Sequence, residues 1–435
     1  MDIILAFSLI GSLIVLLFFG LWVFAAMLAV SIGGLALGLG MPIQQIGSLM
    51  ANVIIRYSSS WELAAIPMFI WMGEILFRTD ISNRLFRGLN PLANLIPGKL
   101  IHTNVLGSAL FACISGSSTA TTATVGRITT SELARRKYDE SLSLGSLAGS
   151  GSLGLLIPPS IVMIIYGVLA EVSIVRLFAA GILPGLVVAS LFSGYIILST
   201  TISPEKVPAD TSSLSLREQM KEVIHLAPIV SLMIVVLGSL YTGFATPSEA
   251  AALGVVAALA IAAALRQLTF AVFRDSLMGA IRTSCMVCII LIAAGTLSTT
   301  MGYMHIPANV AEFIGRLHLS PIALLIVLSL FYVALGLVLD GFSMIVMSVP
   351  ITLPLAMAAG FDPVWFGVYL VLMTELAQIT PPVGFNLFVI QGLTRAPILR
   401  VALYAAPFFG LLCAAVILIT AFPDIVLLLP RVLFG

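Results

Sequence analysis

Charge is scarce in this chain: Asp, Glu, Lys and Arg make up 9% of its 435 residues, against roughly a quarter in soluble domains. With 60% hydrophobic residues, that shortage excludes a soluble globular domain and leaves a polytopic membrane protein. The net charge of +1 gives no basic excess of the kind nucleic acid requires. Cysteine is sparse as well, with four residues, Cys113, Cys285, Cys288 and Cys413, all inside apolar segments. Cys285-x-x-Cys288 lacks the second ligand pair of a zinc site, so the thiols read as buried helical residues. An HExxH pair, a phosphate-cradling glycine loop and a nucleophile elbow are missing too. His102, His225, His305 and His318 lie near expected span ends. An enzyme is not expected. The first residues, MDIILAFSLI, have no basic stretch or small-residue cleavage site and read as a first span, not a removed leader.

What is present is a break used twice. Gly149–Gly167 reads GSGSLGLLIPPSIVMIIYG and Glu375–Gly392 reads ELAQITPPVGFNLFVIQG, each with a Pro-Pro pair inside an apolar run. Proline removes a backbone donor and clashes with the preceding turn. The carbonyls freed around Pro158-Pro159 and Pro381-Pro382 then need protein, water or an ion as partner, so unwound helix at membrane depth lines a cavity. Paired interrupted helices in opposite halves point to a transporter built from inverted repeats.

At roughly 20 apolar residues per crossing, spans are expected near 3–20, 21–39, 61–77, 141–169, 178–200, 226–244, 248–265, 285–301, 363–391 and 402–422. The stretches 100–126 and 321–358 carry SGSSTATTATVG and LDGFSM at their centres and read as re-entrant hairpins, whose tips must be buried or wet. Sixteen of the twenty basic residues then gather on one face: Arg78 to Lys99, Arg127 to Lys137, Lys206 to Lys221, Arg266 to Arg282, and Arg395 with Arg400. That face is cytoplasmic by the positive-inside rule, and both termini are expected in the periplasm. Arg56, Arg176, Arg316 and Arg431 fall singly on the other face. The fold class is therefore an all-α polytopic membrane protein with two inverted repeats, two re-entrant hairpins and two broken helices. The expected division is 1–202, a cytoplasmic linker at 203–225, and 226–435. Interfacial helices are expected in the linker, at Ile81–Leu95 and at Phe270–Ile281.

The first hairpin tip, Ser115-Gly116-Ser117-Ser118-Thr119, offers hydroxyls and flexible backbone, and the first break offers carbonyls near Gly154, Ile157 and Pro159. Neutral oxygens of this kind can replace a sodium ion's hydration shell. Repeat symmetry expects Gly341 and Ser343 to meet Thr380, Pro381 and Pro382 in a second site. Asp340, at the second tip, either stays ionised beside a cation or caps a half-helix. Glu375, Glu62, Glu74 and Glu249 read as interfacial or packed at helix ends. Half-helix N-termini at both tips suit an anion. Ser117, Thr119, Ser150, Ser152, Asp340, Ser343 and Asn386 are the substrate candidates, with a small carboxylate as the expected cargo.

At SGSS (Ser115–Ser118), IPPSIVMIIYG (Ile157–Gly167), AGILPGL (Ala180–Leu186), LDGFSMIVMSVPITLPLA (Leu339–Ala356) and TPPVGFNLFV (Thr380–Val389), the chain resembles the large membrane subunit of tripartite ATP-independent periplasmic (TRAP) transporters. The resemblance covers nearly the whole chain. It implies an elevator fold in the bacterial inner membrane, in which a transport body holding the hairpins and broken helices slides against a static scaffold. It also implies three partners: a small four-helix membrane subunit as a separate chain, a periplasmic binding protein, and a small organic acid of sialic acid or C4-dicarboxylate type. No cofactor is implied beyond sodium as coupling ion. The match implicates Ser115, Ser118, Gly154, Ile157 and Pro159 in one sodium site and Gly341, Thr380 and Pro382 in another. The chain departs from the family where Gly20-Leu21-Trp22 replaces a Gly-x-Pro and where TATTATVGRI is unusually rich in threonine. The alternatives are a stand-alone sodium-coupled dicarboxylate carrier of related fold, or a scaffold or channel subunit without coupled transport.

Overall fold

A computed structural model describes residues 2–208, 221–306, 308–309, 312, 320–337, 339–381 and 384–435, apart from the side chains of residues 2–7 and 10. Helix follows helix throughout: α1 (Asp2–Phe18), α2 (Val23–Gly33), α3 (Ile43–Ser58), α4 (Ala65–Phe77), α5 (Ile81–Ala93), α6 (His102–Ser115), α7 (Ser118–Arg135), α8 (Glu140–Gly151), α9 (Leu153–Leu156), α10 (Ile161–Ala170) and α11 (Ile174–Ile202). After the linker come α12 (Ala227–Tyr241), α13 (Pro247–Ala264), α14 (Phe270–Tyr303), α15 (Pro321–Gly336), α16 (Gly341–Ala358), α17 (Pro363–Gln378), α18 (Phe385–Thr394), α19 (Ile398–Ala421) and α20 (Asp424–Phe434). Among the described residues, six helices are long and apolar enough to cross a membrane, or up to eight if each of two bent pairs is one span. One bent pair is the first broken helix, Glu140–Leu156 with Ile161–Ala170, at 41°.

Local chemistry sets the helix starts. Asp139 accepts from Leu142 N, Ser160 from Met163 N, Asp340 from Phe342 N, and Asp362 from Val364 N and Trp365 N. Each supplies an acceptor to first-turn amides that have no carbonyl partner within the helix. Thr246 and Glu249 form a full capping box at the start of α13.

Both polar stretches are hairpins. In the first, α6 runs parallel to α8: Asn104 Nδ2 donates to Ser143 O at 2.9 Å, and Ser108 Oγ to Ser150 Oγ at 3.3 Å. In the second, α15 runs parallel to α17, with Ser329 Oγ 2.8 Å from Tyr369 OH, while Tyr332 OH donates to Thr352 Oγ1 at 2.6 Å across the two arms. The two broken helices run in opposite senses. Tyr166 OH, near the end of the first, donates to the carbonyl of Pro363, the start of the second, at 2.6 Å.

The turns that carry basic clusters touch one another. Asp80 N donates to Gln267 Oε1 at 2.7 Å, Asp139 N to Lys206 O at 3.0 Å, and Ile224–Leu226 packs on α5. At the opposite end, Arg56 pairs with Glu171 at 2.6 Å and Ser248 Oγ donates to Trp61 O at 2.6 Å. Arg56 and Arg176 are thus not lone arginines, since Arg176 Nη2 also reaches Phe434 O at 3.3 Å. Arg316, His318 and most of the expected linker helix lie outside the described residues.

Between the second and third expected spans lies the amphipathic helix α3, packed on α14. Phe270–Ile281 is not a separate surface helix but the first part of the 34-residue α14. The chain continues past 422 into α20, which packs on α11. Two packed groups result, α1–α4 with α12–α14 as a frame, and α6–α11 with α15–α20 as a body around α17, whose residues Val364–Gln378 are all buried. A helix buried on every side sits in the middle of such a body.

Candidate functional site

The hairpin tips and the breaks meet inside the body. Ser115 ends α6, Gly116 turns the chain in the left-handed region at φ 57°, and Ser117 caps α7 by accepting from Ala120 N. Gly154 lies against this tip so closely that a Cβ there would stand 2.6 Å from the Ser117 carbonyl oxygen and from Ser118 Cα. Only glycine permits that approach. The carbonyl of Pro159 borders Gly116 in the same way. The expected grouping of Ser115, Ser118, Gly154 and Pro159 is therefore what the fold brings together, while Ile157, half-buried, packs outward against Gly185.

Behind the tip is a buried polar joint that the sequence reading missed. Glu375 is fully buried, not interfacial: its Oε2 lies 2.9 Å from Ser118 Oγ and its Oε1 accepts from Leu155 N at 3.0 Å. Ser118 Oγ also lies 3.0 Å from Gly151 O and accepts from Asn386 Nδ2 at 2.9 Å. One hairpin, one broken helix and both sides of the other break thus converge on a single hydroxyl. The signal was available in the sequence, because a carboxylate inside an apolar span faces protein and marks function by default. Thr122 Oγ1, Asn386 Oδ1 and Gln378 Oε1 are buried nearby without a hydrogen-bond partner among the described residues.

The second tip is built differently. Asp340 caps α16, accepting from Phe342 N at 3.3 Å. A Cβ on Gly341 would meet Thr374 Cγ2 at 2.7 Å and Gln378 Nε2 at 2.8 Å, so this tip abuts the last turn of α17 and not the break beyond it. Thr380 donates to Leu376 O at 2.6 Å and, with Pro381, lines a groove facing Leu399 and Ala402 of α19. Pro382 lies outside the described residues.

A cavity of about 580 Å³ separates body from frame, within the range of small-molecule sites. Ser115, Ser117, Ser118 and Thr119 of the first tip line it with Asp340 and Gly341 of the second. Gly73, Glu74 and Phe77 of α4 and Thr283 and Met286 of α14 form the facing wall. Of the substrate candidates, Ser117, Thr119 and Asp340 reach this cavity. Ser150, Ser152, Ser343 and Asn386 are buried behind it. Ser152 donates to Gly149 O at 2.5 Å within its own helix. Among the described residues no cluster of three His, Cys, Asp or Glu side chains could hold a metal ion.

Residues 10–425 match the profile of the tripartite ATP-independent periplasmic transporter, DctM component. The chain is 32% identical to the C4-dicarboxylate TRAP transporter large permease protein DctM of Pseudomonas aeruginosa, over 88% of this chain and 89% of that one. It is 31% identical to the isethionate TRAP transporter permease protein DctMQ of Oleidesulfovibrio alaskensis, covering 92% of this chain and 64% of that longer protein. The fold is similar to the crystal structure of the Alcanivorax borkumensis YdaH transporter, with TM-score 0.62, 13% identity and 88% of both chains covered.

Proposed function

Given that the chain belongs to the DctM-component family of tripartite ATP-independent periplasmic transporters, we propose that it is the large permease of a sodium-coupled importer of a small organic anion. A periplasmic binding protein delivers the anion, and a small membrane subunit completes the frame; the relative named DctMQ is the longer protein, of which this chain covers 64%. The cargo class follows the relatives, whose names specify C4-dicarboxylates and isethionate, and two half-helix N-termini that end at one cavity favour negative charge there.

The observation that carries the reading is the convergence of both tips and both broken helices on the wall of one cavity. Sodium coupling is supported by the crowding of oxygens at the joint. Ser118 Oγ, Gly151 O and the Glu375 carboxyl meet there, and Thr122 Oγ1, Asn386 Oδ1 and Gln378 Oε1 are buried nearby without a partner among the described residues. A hard monovalent cation suits such a set of oxygens. Transport by an elevator motion is supported by the partition into a body that holds every tip and a frame that holds none. The repeat boundaries 1–202 and 226–435, with both termini periplasmic, complete the proposal. The second reading is a stand-alone sodium-coupled carrier of related fold.

Vesicles containing this chain and the small subunit separate the two. With an inward sodium gradient, uptake of succinate, N-acetylneuraminate or isethionate is expected only when loaded binding protein is added outside. Full uptake of the free acid without that protein would favour the stand-alone carrier, and uptake indifferent to sodium would remove the coupling.

A further inference from the structure

Among the described residues, the cavity that should hold an anion is lined by two carboxylates, Glu74 and Asp340, and by no basic side chain. Glu74 is balanced by Arg78, whose Nε lies 3.0 Å away. A cation that faces both walls lies one turn beyond the lining. Thr119, Ala120 and Ala123 of α7 face the cavity, and Arg127 follows at the i+4 position on the same helical face, about 6 Å further along. Its guanidinium lies over the ring of Phe77, 4.8 Å from the centroid, and Phe77 itself lines the opposite wall. Arg127 is exposed, and among the described residues its guanidinium has neither an ion pair nor a hydrogen bond. The other arginines of its helix are engaged: Arg135 and Arg136 both bind Glu132, at 2.7 and 2.6 Å. Partial burial pushes the Glu132 carboxyl up, but the two guanidiniums outweigh that and hold it below the usual range.

We infer that Arg127 is an anion-binding residue at the cytoplasmic mouth of the cavity, where its guanidinium takes the carboxylate or sulfonate of the cargo as it leaves the tips. The assignment rests on the importer reading. A guanidinium seated on an aromatic face keeps its N–H edge free for an oxyanion. This mouth opens toward the end of α4 and α7 that carries the basic turns, the cytoplasmic side by the positive-inside rule. The Phe77 contact bridges frame and body, so the site exists in the arrangement seen here and is taken apart when the two separate.

The test is counterflow in vesicles holding this chain, the small subunit and the binding protein. Succinate, N-acetylneuraminate or isethionate is varied inside, and binding protein loaded with the labelled acid is added outside. Arg127→Gln is expected to raise the inner half-saturation about ten-fold, the cost of one charge-assisted contact, while half-saturation for the loaded binding protein outside stays as in the wild type. Arg127→Lys should recover part of the loss, and Phe77→Leu, which keeps the charge, should shift inner half-saturation less than Arg127→Gln. An unchanged inner half-saturation in Arg127→Gln overturns the assignment. Equal loss in Arg127→Lys and Phe77→Leu, seen only in maximal rate, would make the pair a mechanical brake and also overturns it. A wild-type protein that exchanges none of the three acids defeats the importer reading, an outcome recognisable because it precedes any substitution.

Discussion

The two hairpin-and-break units share a shape and differ in chemistry. Counting from the Pro-Pro pairs, Ser152 of the first broken helix corresponds to Glu375 of the second, and counting from the helix caps Ser117 and Asp340, Ser118 corresponds to Gly341. The first unit therefore has a hydroxyl where the second has a glycine, and the second has a carboxyl where the first has a hydroxyl bonded within its own helix. The carboxyl of one unit serves the hydroxyl of the other, Glu375 to Ser118 at 2.9 Å, and Asn386 joins from beyond the second break. Inversion supplies two tips, but the polar joint is made once, between the units. Its position ties the two units into one body.

The comparison breaks most severely at Glu375. Glu375→Ala leaves Leu155 N–H without its acceptor and removes one of the three partners of Ser118 in a fully buried place, at a cost on the order of 2 kcal/mol, and should lower the melting point of the purified protein by several degrees. Glu375→Gln keeps an acceptor for Leu155 and a donor for Ser118, so it should melt well above the alanine variant. Similar melting for the two would mean that the joint carries no specific hydrogen bonding.

Next come the glycines of the two approaches. Gly154→Ala forces a Cβ to within 2.6 Å of backbone at the first tip, an overpacking of about 1–3 kcal/mol, and should abolish uptake. At Gly341 the obstructing atoms are side-chain ends, Thr374 Cγ2 and Gln378 Nε2, which can rotate aside. Gly341→Ala should retain measurable uptake, and the reverse order of severity would contradict the packing described here.

A milder contrast separates the serines. Ser118→Ala should raise the sodium concentration for half-maximal uptake several-fold, whereas Ser152→Ala, whose hydroxyl bonds only Gly149 O among the described residues, should leave sodium activation unchanged. The smallest effect is expected at Arg56, whose pair with Glu171 is about 70% exposed on both sides. Arg56→Ala should change thermal stability by less than about 0.5 kcal/mol, read as a melting shift near the error of the method.

Much of this architecture could be read from residue order. The Pro-Pro breaks, the polar tips at Ser115–Thr119 and Asp340, and the gathering of arginines on one face all follow from rules that act along the chain. Helix ends were less legible. α3 falls between two expected spans, and nothing local marks that the segment Phe270–Ile281 runs on without a break into the rest of α14. The joint itself was illegible because it depends on register between distant segments. Glu375 and Ser118 are 257 residues apart, and no periodicity within either helix points to the other. Ser150 and Ser152 looked like cavity residues for the complementary reason: their composition resembles the tip, while their helical phase turns them toward packing.

The central claim is that Ser118 and Glu375, from the two halves of the chain, act as one unit at the proposed sodium site. A double-mutant cycle on sodium activation of uptake tests it most directly. Ser118→Ala and Glu375→Gln should each raise the half-maximal sodium concentration, and the double variant should be no worse than the more affected single one. Effects that multiply in the double variant would show two independent residues and contradict the account.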